Sequence, residues 1–395
     1  MDDDVLLVYL IAGEPSGDVL GARLMAALRE LTGGGVCFAG IGGEAMAVEG
    51  LRSLVPLHEL AIMGVAEVLP RARQIFRRVA ETVADIQAKR PDAVVTIDSS
   101  GFTWRVARKL RALGAALPLI HLVAPMVWAW RGGRARRMAR WYDHLLVLLP
   151  FEPPYFEKVG LACTYIGHPV TETGADRGDG TRFRQAHGIP SDAPLLALLP
   201  GSRRGEVKRL LPLFAEAARR LGARHPGLHV AIPTTETVAA MVRDAVADWS
   251  LPVIIVQGER DKYDAFAASD VALAASGTVA LELAMAKVPA IIGYRISPLT
   301  HAVVRRMVKI EYANLVNLLL KRQAVPELIQ NQCTPEKLAA AISHLLEDEA
   351  ARTAQIEAGQ EALRLLGLGT LRPSARAARE VLAIIAAQRP RQTGG

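Results

Sequence analysis

Cysteine is scarce in this chain of 395 residues, and the three present, Cys37, Cys163 and Cys333, are far apart and odd in number. That excludes a disulfide framework and a thiolate metal cage, and it points to a reducing compartment. Other metal patterns are missing too. There is no CxxC and no carboxylate–histidine cluster at ligand spacing, and the close acidic set Asp2-Asp3-Asp4 lies at the wrong end of a strand. No metal and no cofactor are expected. A GxSxG elbow, a P-loop and a GxGxxG fingerprint are also lacking, which weighs against hydrolase, kinase and dinucleotide-binding readings. The longest uncharged run, residues 113–130, holds Pro118, His121 and Pro125, so it reads as a strand plus a loop and not as a membrane span. The start, MDDDVLLVYLIAGE, is acidic before its apolar run, the reverse of a secretory signal. Solenoid repeats and low-complexity tracts are absent.

What is present is a globular profile: 51% apolar, 22% charged and 5% aromatic, enough chain for two domains of ordinary size. The formal charge is +7, with arginine far in excess of lysine, a balance that suits an anionic partner such as a nucleotide, a lipid phosphate or a membrane surface. No nucleic-acid reader motif accompanies it. Short buried strands alternate with amphipathic helices throughout, the pattern of parallel α/β units.

Residues 270–295, DVALAASGTVALELAMAKVPAIIGYR, form the most informative stretch. A strand breaks at Ser276-Gly277-Thr278, and a helix follows to about Lys287. Free N–H groups and the dipole at such a helix start favour phosphate. Glu282, one turn beyond Thr278, shares its face and suits a ribose diol; a capped helix with a half-buried glutamate is the plainer alternative. Earlier in the same half, LPGSRRGEV places Ser202 and Arg203 at another strand-to-helix turn, where Arg203 could clamp a diphosphate. The acidic segment ERDKYDAF reads as a turn.

In the first half, GEPSGD (Gly13 to Asp18) and IGGEAM put glycines at the carboxyl ends of strands, where open α/β sheets place ligands. A basic helix from about Arg71 to Arg90 leads to the strand AVVTID. Asp98 at that strand's end is either a general base or a turn aspartate. PMVWAWRGGRARRMARWYDH sets Trp128, Trp130 and Trp141 among five arginines, suiting a membrane interface, a phosphate or a solvated helix. Polar residues from Thr171 to Gly180 read as a hinge. The boundaries predicted are 1–170, 171–340, and a helical segment 341–395 that packs back on the first domain and ends in a loose tail.

AGEPSGD, GIGGEAM, IMGVAEVLP, VAPMVWAWR, LPFEPPYFEKVG, YIGHPV, LPGSRRGEV, AASGTVALELA, NLVNLLL and PELIQ, in this order and spacing, resemble the lipid-A-disaccharide synthase family over nearly the whole chain. The resemblance implies an α/β GT-B glycosyltransferase, two Rossmann-like domains facing a central cleft, working without a metal. It implies transfer from UDP-2,3-diacylglucosamine to 2,3-diacylglucosamine 1-phosphate, with inversion, to give the β-1,6-linked disaccharide of lipid A and UDP. Asp98 would be the base, and Ser202, Arg203, Ser276, Gly277 and Thr278 would hold the diphosphate. Glu282 would hold the ribose, and Asn317, Glu327 and Gln330 would line the donor side. Glu14, Ser16, Gly17, Asp18, Met63 and Gly64 would shape the acceptor pocket. Trp128, Trp130, Arg131, Arg134, Arg136 and Arg137 would meet the membrane or the lipid phosphate, on the cytoplasmic leaflet. A homo-oligomer is left open. One departure stands out: the family reads Asp-x-Pro-Asp-Phe where this chain has Asp98-Ser99-Ser100-Gly101-Phe102. Another UDP-sugar-dependent GT-B enzyme and a catalytically weak lipid- or anion-binding homologue are the competing readings.

Overall fold

The computed structural model describes residues 5–60, 65–130, 132–275, 277–297 and 311–388, with backbone alone for 65–72. The chain divides into two compact units, Met1–Pro169 with Thr370–Gly395, and Val170–Gly369.

The first unit is built on β1 (Leu6–Ala12), β2 (Val36–Ile41), β3 (Ala93–Ile97), β4 (Leu119–Leu122), β5 (His144–Val147) and β6 (Ala162–Tyr165). All pair in parallel, in the order β2-β1-β3-β4-β5-β6. Because helices cover both faces, a central strand is nearly all apolar, and β3 is buried from end to end with Thr96 as its one polar residue. Alternate residues of β1 serve two cores. Tyr9 and Ile11 face Val83, Ile86 and Val106, while Val8 and Leu10 pack with Leu24, Leu28, Val381 and Ile385. Gly40 of β2 is obligatory: its φ is +133°, and a Cβ there would lie 1.8 Å from the Leu10 carbonyl oxygen.

The second unit repeats the plan with β7 (Leu195–Leu199), β8 (His229–Pro233), β9 (Val253–Val256), β10 (Val271–Ala274), β11 (Ala290–Tyr294) and β12 (Glu327–Ile329). Their order is β12-β11-β10-β7-β8-β9, again parallel.

Several local expectations need correction. The basic helix spans Val65–Lys89, beginning before Arg71 and carrying Pro70 in its second turn at the loss of one backbone hydrogen bond. The acidic segment ERDKYDAF is no turn but the start of the helix Glu259–Ala268. Its first-turn Glu259 and Asp261 complement the dipole, and Tyr263, Ala265 and Phe266 are buried. The segment 171–180 follows directly on the division between the units, at Pro169–Val170, and is packed against the second. Gly178 lets its backbone press on Tyr263, where a Cβ would meet the carbonyl oxygen at 2.0 Å, and Asp264 accepts the Asp179 N–H at 2.7 Å. The carboxyl-terminal helices separate: Pro335–Glu347 and Glu349–Leu365 belong to the second unit, and Pro373–Gln388 alone returns to the first.

Candidate active site

In an open parallel sheet, ligands collect beyond the carboxyl ends of the strands where the strand order reverses direction. In the first unit the chain steps from β1 out to β2 and returns past β1 to β3, so the reversal lies between β1 and β3. The loops leaving those strands are Gly13-Glu14 and Asp98-Ser99. They touch: a Cβ on Gly13 would fall 2.2 Å from the Ser99 Oγ. Asp98 and Ser99 both hold left-handed backbone, φ 46° and 45°, strain that clusters at functional sites. The turn is secured by the Asp98 N–H on the Leu122 carbonyl at 2.9 Å. The Thr103 hydroxyl donates to the carbonyls of Asp98 and Ser99, at 2.9 and 3.0 Å. Burial raises the Asp98 carboxyl above the usual carboxylate range, and the Ser99 backbone N–H pulls against that rise. A raised carboxylate is a better proton acceptor near neutral pH. At Gly101 a Cβ would meet nothing within 4 Å.

The other acceptor-side residues divide. Glu14 is the N-cap residue of the helix Pro15–Leu31, Ser16 is exposed, and Gly17 packs on Ala12 and Ile97. Asp18 is buried and engaged: Oδ1 accepts from the N–H groups of Gly43 (2.6 Å) and Met46 (3.1 Å), and Oδ2 from Ala45 (2.9 Å). It therefore caps the helix Glu44–Val48 and ties the first glycine turn to the second. Met63 and Gly64 lie outside the described residues.

In the second unit the reversal falls between β7 and β10, so the facing loops are Gly201–Arg203 and the turn through Gly277-Thr278. Gly201, at φ +109°, leaves room for Glu206; a Cβ would stand 2.7 Å from its Oε2. Arg203 is the N-cap residue of the helix Arg204–Arg224 and is 68% exposed, with Glu206 at 3.5 Å. Its guanidinium is open to a ligand. Ser202, Gly277 and Thr278 are exposed as well, and Ser276 lies outside the described residues. The helix after the turn spans Val279–Met285 and stops short of Lys287, which is left-handed at φ 59°. Glu282, on this helix, is gripped by Lys262, whose Nζ lies 3.1 Å from each carboxylate oxygen.

Asn317 and Glu327 turn inward. The fully buried Asn317 donates to the Val325 carbonyl and to Glu327, and accepts from the N–H groups of Ala324 and Val325, which uses its amide completely. Glu327 also accepts from the N–H groups of Ala313 and Asn314. Gln330, left-handed at φ 54°, pairs its amide with both backbone groups of Ile296. These three side chains organise the loops around β11 and β12.

In the aromatic and basic segment, Trp128 is tied inward, its Nε1 donating to Glu152 at 3.2 Å and its ring edge-on to Phe151. Arg134 stacks over Trp104 and Trp130, at 5.7 and 5.2 Å from the ring centroids. Arg136 and Arg137 are exposed, and Arg131 lies outside the described residues. Arg136, Arg140, Lys158 and Tyr155 line an open groove of about 820 Å³, with no acidic side chain among the described residues of its wall.

A profile of the Lipid-A-disaccharide synthetase family matches residues 8–381. The chain belongs to the lipid-A-disaccharide synthetase family. Among similar proteins, the lipid-A-disaccharide synthase of Rhodospirillum centenum is 56% identical, with 99% of this chain and 98% of that one covered. The corresponding synthase of Paramagnetospirillum magneticum is 54% identical, covering 98% and 100%. Among solved structures, UDP-GlcNAc 2-epimerase from Neisseria meningitidis bound to UDP-GlcNAc superposes with a TM-score of 0.64 at 10% identity, covering 97% and 100%. MurG of Acinetobacter baumannii gives 0.55 at 15%, covering 97% and 99%. At such identities these two speak for the fold alone, and that fold is GT-B: two Rossmann-like domains with a helical carboxyl-terminal segment.

Sequence reasoning passed over three features of this family member. Glu152, within LPFEPPYFEKVG, is a buried carboxyl that also accepts the Leu149 N–H at 2.9 Å; burial pushes it up to about 7. Its place just before Pro153-Pro154 hinted at a capping acid. Lys262 was hidden in a helix taken for a turn. Thr96, His121 and Tyr142 form a polar knot under the first sheet, with Thr96 Oγ1 2.7 Å from His121 Nδ1 and 3.2 Å from the Tyr142 hydroxyl. Burial lowers His121 to about 3, so it is neutral there. Among the described residues no helix is long and apolar enough to cross a membrane.

Proposed function

We propose that this glycosyltransferase moves the sugar of UDP-2,3-diacylglucosamine onto the 6-hydroxyl of 2,3-diacylglucosamine 1-phosphate, making the β-1,6 linkage of the lipid A disaccharide. Asp98 takes the proton from the 6-hydroxyl as that oxygen attacks the donor's anomeric carbon. The bond from that carbon to the UDP oxygen breaks on the opposite side, which inverts the configuration. The departing diphosphate is met by Arg203, Ser202 and the backbone of Gly277 and Thr278, which offer hydrogen bonds to the charge that develops on it. Glu282 receives the ribose, while Asn317, Glu327 and Gln330 shape the donor side through the loops they brace. Glu14, Ser16, Gly17 and Asp18 form the acceptor turn, Asp18 by holding it. The groove of Arg136, Arg140 and Lys158 takes anionic lipid phosphate, keeping the protein peripheral on the cytoplasmic leaflet.

The observation that carries the reading is the pairing of chemistry with topology. A strained, raised aspartate sits at one strand-order reversal and an open arginine at the other. The open space at Gly101 favours a second reading, a homologue with a changed acceptor. The test is UDP release from UDP-2,3-diacylglucosamine and the lipid acceptor in the presence of EDTA, for wild type and Asp98→Ala. Turnover that collapses in the variant supports the reading, and turnover that survives it moves the base elsewhere. UDP binding with no turnover favours the changed acceptor.

A further inference from the structure

Glu282 is held by a second, rigidly delivered side chain. Lys262 forks symmetrically onto both of its oxygens, at 3.1 Å each, and the two side chains are only 24% and 19% exposed. An exposed ion pair would contribute little and fix no geometry. Here the lysine's own freedom is removed. Its Nζ lies 4.6 Å from the centre of the Tyr263 ring, and the buried Tyr263 donates its hydroxyl to Glu259 at 2.9 Å. The helix carrying all three is pinned from beneath, where the buried Asp264 accepts from the Asp179 N–H and pairs with Arg182. Lys262 sits in the first turns of the helix after β9, and Glu282 in the helix after β10. Both therefore stand at the carboxyl end of the sheet, where ligand is expected.

We propose that Lys262 is a positioning residue for the nucleotide. It fixes the plane of the Glu282 carboxylate so that the lone pairs left over by the lysine point at the vicinal diol of a ribose. A carboxylate offers about four acceptor positions, so two N–H donors from Lys262 leave two for the two hydroxyls. This inference rests on the reading of Glu282 as the ribose acceptor. A lysine acting only as a brace between two helices would lower stability when removed, yet leave ribose and deoxyribose equally affected.

The experiment measures dissociation constants of UDP and 2′,3′-dideoxy-UDP for the full-length protein, with melting temperatures alongside. Wild type should bind UDP about tenfold or more tightly than the dideoxy compound, the preference expected from charge-assisted hydrogen bonds to the diol. Glu282→Gln should bring that ratio close to one. Lys262→Met should shrink it to about two- to threefold while leaving dideoxy-UDP affinity as it was, and Lys262→Arg should recover part of it. If Glu282→Gln keeps the full preference, the ribose reading of Glu282 falls. If Glu282→Gln abolishes the preference but Lys262→Met keeps it, or weakens both ligands equally, the positioning role alone is overturned.

Discussion

Replacing Glu152 with glutamine should remove a pH dependence of stability that runs in the opposite sense to that of a salt-bridged carboxylate. Glu152 is 3% exposed, and burial lifts its carboxyl to about 7, outweighing the N–H groups of Leu149 and Trp128 that favour its charged form. A group raised in the folded state contributes stability that is fully present below its unfolded value, near 4.5, and is lost as pH rises through about 7. The span of roughly 2.5 units corresponds to about 3 kcal/mol between the two plateaus. Glutamine cannot ionise, but its amide turns a donor toward one of two donors, Trp128 Nε1 or Leu149 N–H. That leaves a buried group unpaired, at about 1–3 kcal/mol at every pH. Wild type should therefore be the more stable protein at pH 5, and the gap should close or reverse by pH 8. In thermal melts of a domain this size the change amounts to about 6–12 °C. A gap between wild type and Glu152→Gln that stays constant from pH 5 to pH 8 would refute the reasoning.

Turnover by wild type should rise with pH through an apparent pKa above the ordinary aspartate value of about 4, since Asp98 must be ionised to accept a proton; Asp98→Asn should flatten that limb and lower kcat by roughly 10²–10⁴, with UDP affinity retained. Gly101→Asp places a side chain in open space within the first turn of the helix Ser100–Ala112. The melting temperature should hold or rise, by up to about 1 kcal/mol of stability, and a clear loss would show that the space is filled. The combined change Arg136→Gln, Arg140→Gln and Lys158→Gln should weaken binding to anionic vesicles by about 1 kcal/mol per charge in flotation assays, while UDP binding is preserved.

The two sheets were legible because their strands are short apolar runs, and a strand buried on both faces leaves no other pattern. The placement of Asp98 and Arg203 in strand-end loops was legible because Asp98 directly follows one such run and Arg203 comes four residues after another. Helix starts with acidic residues were not: ERDKYDAF has the composition of a turn, and only the burial of Tyr263, Ala265 and Phe266 makes it a helix. The engagement of Asp18 was illegible for a different reason. Its partners are backbone N–H groups 25 to 28 residues away, which no local spacing records. Asn317 and Glu327 look like ligand-binding residues by type, yet the carbonyls and N–H groups that occupy them belong to loops whose shape the sequence alone leaves open.

The helix Pro373–Gln388 packs on the helix Pro15–Leu31, and Ala377, Ala378, Val381 and Ile385 lie in one core with Val8, Leu10 and Leu24 of the first unit. Chain order and order of completion are thus inverted during synthesis. The first unit emerges from the ribosome early but must wait, with one apolar face uncovered, until the last residues arrive. The second unit, Val170–Gly369, has all its parts beforehand. A released chain cut short before residue 373 would carry a finished second unit and an unfinished first one, so the half of the protein made first would be the half exposed to chaperones and proteases.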